Sequence, residues 1–131
     1  MDELDPTTAL STAQKLPMNC TVSPIRTSDF QRWSSLFTAY CVANGCSKDH
    51  HKIVTAWNWL IDETHPLQGL IAYGTSGEAV GFAHFHSMPD SLEGREAGHL
   101  ADIYTKGNNL KFVEAALHQT FIDHCHHKGW S

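Results

Sequence analysis

The residues best suited to chemistry in this chain fall in two short apolar stretches, "GEAVGFAHFH" and "HLADIYT", which carry His84, His86, Asp102 and Tyr104. His84 and His86 are two apart, so on a strand they share a face with their imidazoles about 7 Å apart. They suit the lining of a pocket, or two of the three ligands a metal needs; spacing nominates no third ligand, and pocket-lining or partly exposed histidines are preferred. Asp102 is flanked by apolar Leu100 and Ile103, where desolvation is expected to raise its pKa toward that of a general base. The plainer alternative is a carboxylate that fixes the next loop by hydrogen bonds. Tyr104 shares its face and is either a site contact or core packing.

The chain has ten histidines. On the last predicted helix His124 and His127 are three apart and Asp123 and His127 four apart, so both pairs lie one turn apart. A solvated face with cationic imidazoles near the helix C-terminus is the simpler reading, and no metal is expected. The four cysteines, Cys20, Cys41, Cys46 and Cys125, lack a C-x-x-C spacing and read as reduced thiols of a cytoplasmic protein. Nine basic and fourteen acidic residues give a formal charge of −5, which disfavours a nucleic-acid partner. No apolar run is long enough to span a bilayer, so no membrane partner is expected.

Positioning these residues requires a fold. Residues 1–19 read as a flexible leader and 20–131 as one domain, with no secretory signal at the start. "CTVSPIR" suits a short strand limited by Pro24. From Ser28 the spacing of Phe30, Trp33, Phe37, Tyr40 and Cys41 is helical, with Ser28 and Gln31 as a capping-box pair and Asn44-Gly45 as the stop. A second helix from Ser47 or Asp49 to about Glu63 is expected to bury Ile53, Trp57, Leu60 and Ile61, and Trp33, Trp57 and Trp59 read as core. "LQGLIAYGTSGEAVGFAHFH" is a hairpin turning at Gly74–Gly77, with Val80, Phe82, His84 and His86 on one face. "SMPDSLEGREAG" reads as a polar connection and "HLADIYT" as the next strand, with Leu100, Asp102 and Tyr104 on one face and His99, Ala101, Ile103 and Thr105 on the other. A final helix from about Asn108 to His127 carries the stripe Leu110, Val113, Leu117, Phe121 and Cys125, and Gly129 ends it. The order strand, helix, helix, strand, strand, strand, helix predicts an α+β fold, helices packed on a mainly antiparallel sheet.

That order and these residues resemble the GCN5-related N-acetyltransferase family. "VSPIRTSDFQRWSSLF" is similar to the family's opening strand and first helix, "GEAVGFAHF" to its second hairpin strand, and "HLADIYT" to the strand that carries its cofactor. The likeness spans residues 21 to 130 and implies an acyl-CoA-dependent N-acetyltransferase acting on a small amine, with acetyl-CoA as cofactor. It implies Asp102 and Tyr104 as catalytic residues, His84 and His86 as substrate-binding residues, and Ile103, Thr105, Lys106, Gly107, Asn108 and Asn109 as cofactor-binding residues. The cofactor strand should expose backbone N–H groups, and the helix that follows should turn its orphan N–H donors toward a pyrophosphate.

Two departures shape this expectation. The family's V-x-P-x-x-R/Q-G-x-G-x-G/A loop is reduced here to Lys106-Gly107-Asn108-Asn109. Family members also continue past a Gly-Trp like Gly129-Trp130 into a fifth strand and beyond. The resemblance therefore implies a partial acetyltransferase-like fold lacking the C-terminal strands. The edge of strand 99–105 is then expected to be covered in a homodimer, by strand pairing or by exchange of the C-terminal helix. A catalytically silent relative serving as a ligand-binding or protein-interaction module is the alternative.

Overall fold

Strand β2 (Gln68–Tyr73) carries three consecutive buried residues, Leu70, Ile71 and Ala72, as a strand does when layers cover both of its faces. The computed structural model describes residues 20–107 and 110–131; the predicted leader and Asn108 and Asn109 lie outside them. Around β2 stands an antiparallel sheet in the order β1 (Thr21–Pro24), β2, β3 (Ala79–Asp90), β4 (Arg95–Thr105). Helices α1 (Phe30–Ala43) and α2 (His50–Ile61) cover one face, and α3 (Leu110–Lys128) covers the other. This is the expected α+β order.

The α1/α2 layer packs Trp33, Leu36, Ala56 and Trp57 on Ile71, Ala79 and Phe82. The α3 layer sets Val113, Leu117, Phe121 and Cys125, one residue per turn, against Leu70, Ala72, Ala83 and Phe85. At the start of α1 the expected capping box of Ser28 and Gln31 is replaced. Asp29 accepts a 2.8 Å bond from the backbone N–H of Arg26, and its other oxygen accepts from the Tyr73 hydroxyl. Asp49 caps α2 by accepting from His51 N–H at 3.0 Å. Trp59 and Ile61 are corrections: both are exposed, Trp59 because it lies two residues past the buried Trp57 and so across the helix, where it stacks on His65, and Ile61 as the last residue of α2.

The predicted connection 87–98 is another correction. It is paired strand from Ser87↔Gly98 to Asp90↔Arg95, and the turn is only four residues long, with Asp90 Oδ1 accepting from the N–H groups of Leu92 and Glu93. Its polar sequence hid the pairing because most of it, from Met88 to Glu96, is exposed, and Gly98 at its base meets α3.

Two bulges change which residues share a face. Tyr73 pairs with Ala79 but Ala72 with Gly81, so Val80 is left over and packs toward α3 while Phe82 faces α1. In β4, His84 pairs with Asp102 but Phe85 with Leu100, so Ala101 is the extra residue. Leu100 consequently packs with Ile103 on the α3 side, whereas His99 is set beside His86, their rings 5.0 Å apart, on the side of Asp102 and Tyr104.

The chain leaves α3 through Gly129, at φ +76°, with Trp130 N–H donating to Cys125 O at 2.9 Å. Ser131 then meets the outer edge of β4: Gly98 N–H donates to Ser131 O at 3.1 Å, and Ser131 N–H to Glu96 O at 3.0 Å, the pattern of a parallel rung. These bonds engage the outer edge of β4 just before the stretch 99–105 predicted to be bare. From His99 onward it has no outer backbone partner among the described residues.

Gly98 sits where α3 presses closest to β4. A Cβ there would lie 2.4 Å from the buried Cys125 Sγ and 3.2 Å from Phe121 Cζ. Gly98→Ala is expected to destabilise the domain by about 1–3 kcal/mol, read as a lower urea midpoint with unchanged slope.

Candidate functional site

The bulge in β4 brings a carboxylate opposite a buried imidazole. His84, only 1% exposed, and Asp102 are direct cross-strand partners, and His84 Nδ1 lies 3.0 Å from Asp102 Oδ2. On the other side of the ring, Trp33 Nε1–H donates to His84 Nε2 at 3.0 Å. An indole N–H only donates, so Nε2 must be the accepting nitrogen and Nδ1 the one that carries the proton. His84 therefore donates to Asp102 as the Nδ1–H tautomer. Tyr40 completes the chain by donating from its hydroxyl to Asp102 Oδ1 at 2.7 Å.

Helix α1 supplies both ends of this chain because Trp33 and Tyr40 are seven residues, about two turns, apart and so share the face turned to the sheet. Phe37 lies between them, stacked on Trp33 with ring centroids 4.8 Å apart. Phe37 and Phe82 also pack against the His84 ring, at 5.5 and 4.6 Å. Both ring nitrogens of His84 are thus occupied in an apolar enclosure, as a buried polar group requires.

Asp102 keeps 30% of its side-chain surface exposed, and each oxygen has a lone pair beyond the bond it already accepts. Its pKa departs from expectation. The hydrogen bond from His84 outweighs desolvation, and with the Tyr40 bond it holds the carboxyl below its ordinary 3.8. The sequence shows the apolar neighbours but not the two donors, which is why the expected rise is corrected to a fall. The partner tyrosine moves the other way: burial first, then the Asp102 hydrogen bond and charge, push Tyr40 up to about 12.

His84 does not line an open pocket, a correction that follows from its burial between Trp33 and Asp102. His86 is half-buried on the same face, and its Nδ1–H donates to Ser87 O at 2.9 Å, which leaves the lone pair on Nε2 when the ring is neutral. Tyr104 packs its ring on Tyr40 and Phe82, at 5.9 and 6.2 Å, walling the site beside Asp102. Among the described residues no group of three histidine, cysteine or acidic side chains is arranged to hold a metal. His124 is no solvated face residue, since its ring packs on Phe85 and Trp130.

Backbone direction bears on a cofactor. Gly98 N–H points out of the sheet to Ser131, whereas Lys106 N–H points in, to Val80 O at 2.9 Å. Both numbers are even, so the alternation of N–H direction must reverse once between them, and the extra residue Ala101 does this. Beyond the bulge the outward N–H groups are those of Ile103 and Thr105. Lys106 has only its ammonium to offer. Gly107 takes φ +89°, and α3 is described from Leu110.

Trp33 and Tyr40 were not legible as site residues. The available signal was that a buried Trp N–H and a strand histidine each need a partner.

This three-layer α+β arrangement is a partial GCN5-related N-acetyltransferase fold. Solved structures of that fold match this chain. A ribosomal-protein-alanine N-acetyltransferase from Brucella melitensis biovar Abortus 2308 is 22% identical, with a TM-score of 0.69 over 86% of this chain and 76% of that one. The aminoglycoside antibiotic 6'-N-acetyltransferase AAC(6')-Ih from Acinetobacter baumannii is 18% identical, with a TM-score of 0.67 over 86% of this chain and 76% of its own. Aminoglycoside N-acetyltransferase AAC(6')-Iy, solved in complex with CoA, is 15% identical, with a TM-score of 0.71 over 86% of this chain and 73% of its own. No protein-family model and no curated relative matches the sequence.

The opposed shifts of Asp102 and Tyr40 give a pH signature. A depressed carboxyl stabilises the fold above its unfolded pKa, and that contribution is lost as pH falls through the folded value; a raised phenol stabilises below pH 10, and that is lost as pH rises toward 12. In Asp102→Asn the acid limb of a stability profile should lose this contribution. The highest phase of a tyrosinate absorbance titration, which Tyr40→Phe removes, should move down toward 10.

Proposed function

We propose that this protein is an acyl-CoA-dependent N-acetyltransferase of small amines, using acetyl-CoA in the cytoplasm. The observation that carries this reading is the position of Asp102. It lies one residue past the β4 bulge, on the strand whose next outward N–H groups belong to Ile103 and Thr105. The fold shared with AAC(6')-Iy, which was solved with CoA, supports it.

Acetyl-CoA, when bound, supplies an acyl group activated as a thioester. The outward N–H groups of Ile103 and Thr105 are donors suited to an amide-rich chain lying along the edge, and the Lys106 ammonium and Gly107 backbone suit a phosphate beside them. Asn108 and Asn109 complete the proposed cofactor set.

On the acceptor side, Asp102 is ionised at neutral pH and half open, so it attracts and orients a protonated amine. Its depressed pKa suits it to holding the nitrogen more than to stripping it. His86 Nε2, on the same face, is the neighbouring lone pair able to take the proton onward. His84 and Tyr40 act through Asp102 as positioning residues, each fixing one oxygen, and Tyr104 forms the wall.

A second reading rests on the outer edge of β4 from His99 to Thr105, whose N–H groups also suit a strand from another copy. A homodimer formed there, or through an exchanged α3, would serve a catalytically silent binding module. No helix among the described residues is long and apolar enough to cross a membrane.

Calorimetric titration with acetyl-CoA separates the readings. The enzyme predicts micromolar affinity and thiol release with a small amine, and Asp102→Asn should lower kcat/KM by about 10²-fold or more while acetyl-CoA affinity holds. Absence of heat at millimolar acetyl-CoA, together with a dimer by light scattering, would favour the silent module.

A further inference from the structure

Two cysteines sit at the two positions that a helix C-cap brings side by side. Helix α1 ends in a Schellman turn: Cys46 N–H donates to Cys41 O at 2.8 Å, Gly45 N–H donates to Val42 O at 3.0 Å, and Gly45 takes φ +77°. In this motif the residue third from the helix end and the second residue past the cap place their side chains in contact, normally as an apolar pair. Here those residues are Cys41 and Cys46. Their α-carbons are bounded by the hydrogen bond between them: standard backbone bond lengths put them within about 6.7 Å. A disulfide spans about 4.4 to 6.8 Å between α-carbons.

We propose that Cys41 and Cys46 form a reversible intramolecular disulfide that staples the C-terminal turn of α1. This goes beyond the acetyltransferase reading and does not depend on it. Both thiols are free in the reduced state; Cys46 is exposed and Cys41 partly buried, and burial raises the Cys41 thiol. Cys46 is therefore the first to react and Cys41 the resolving thiol.

With a small disulfide of the glutathione class as oxidant, Cys46 loses its proton and its sulfur attacks one sulfur of the reagent. The reagent's S–S bond breaks and one small thiolate leaves. Cys41 then loses its proton, attacks Cys46 Sγ and displaces the second small thiolate. Two protein thiols are oxidised to one S–S bond, one small disulfide is reduced to two thiols, and the two protons end on the released thiolates or solvent.

Cys20 and Cys125 do not compete, since both belong to the α3 side of the sheet, away from α1. The staple also bears on the site. Tyr40, which holds Asp102, is adjacent to Cys41, and its carbonyl accepts from the Asn44 side chain at 2.8 Å within the same turn.

The test incubates the folded full chain with oxidised glutathione, then digests it and weighs the peptide from Trp33 to Lys48. The expected product is that peptide lighter by two hydrogens, with two thiols lost together and regained on dithiothreitol treatment. Cys41→Ser should instead accumulate a glutathione adduct on Cys46, and Cys46→Ser should leave Cys41 unmodified. A wild-type chain that stops at the Cys46 adduct, or that leaves both thiols free under conditions where an unfolded control oxidises, would overturn the proposal. Circular dichroism of each variant separates a failure to fold from a failure to react.

Discussion

The hydrogen bond between the buried imidazole of His84 and the half-open carboxylate of Asp102 is the contact on which the site depends. A histidine at 1% exposure must have both nitrogens satisfied, and an unsatisfied buried polar atom costs about 1–3 kcal/mol. Trp33 satisfies one side and thereby fixes the tautomer, so the other side can only donate. Asp102 is the acceptor that meets it across the strand pair, and Tyr40 fills the second oxygen. The carboxylate is thus held from α1 and from β3 while one flank stays open to solvent.

This arrangement exists because of one inserted residue. Were β4 regular opposite β3, Leu100 and Asp102 would share a face and the His84 partner would lie on an unbroken pleat. Ala101 breaks the alternation, turns Leu100 to the α3 core and His99 to the side of His86, and reverses the direction of backbone N–H groups beyond it. One bulge therefore sets both the side-chain face that could meet an amine and the edge donors that could meet a cofactor.

Much of the fold was legible because it follows periodicity. The apolar runs of β2 and β3, the helical stripe of α1 and the one-per-turn stripe from Val113 to Cys125 each appear where the residue pattern places them. The parts that were not legible are those that periodicity cannot encode. Neither bulge has a local signature, and each flips the faces that simple alternation assigns. The partners Trp33 and Tyr40 lie 51 and 62 residues from His84 and Asp102, so a fall in the Asp102 pKa could not be inferred from its apolar neighbours alone. The strand character of 87–98 was hidden because its tip, mostly exposed from Met88 to Glu96, needs no apolar face.

The central claim is that Trp33, His84, Asp102 and Tyr40 form one directed hydrogen-bond chain, and the ring nitrogens of His84 report it most directly. Two-bond ¹H–¹⁵N NMR correlation spectra at neutral pH should show a histidine with its proton on Nδ1 and a bare Nε2, and in Trp33→Phe that Nε2 resonance should shift as its donor is lost. A protonated Nε2 on His84, whether as the opposite tautomer or as an imidazolium, would contradict the chain and with it the account of how Asp102 is held.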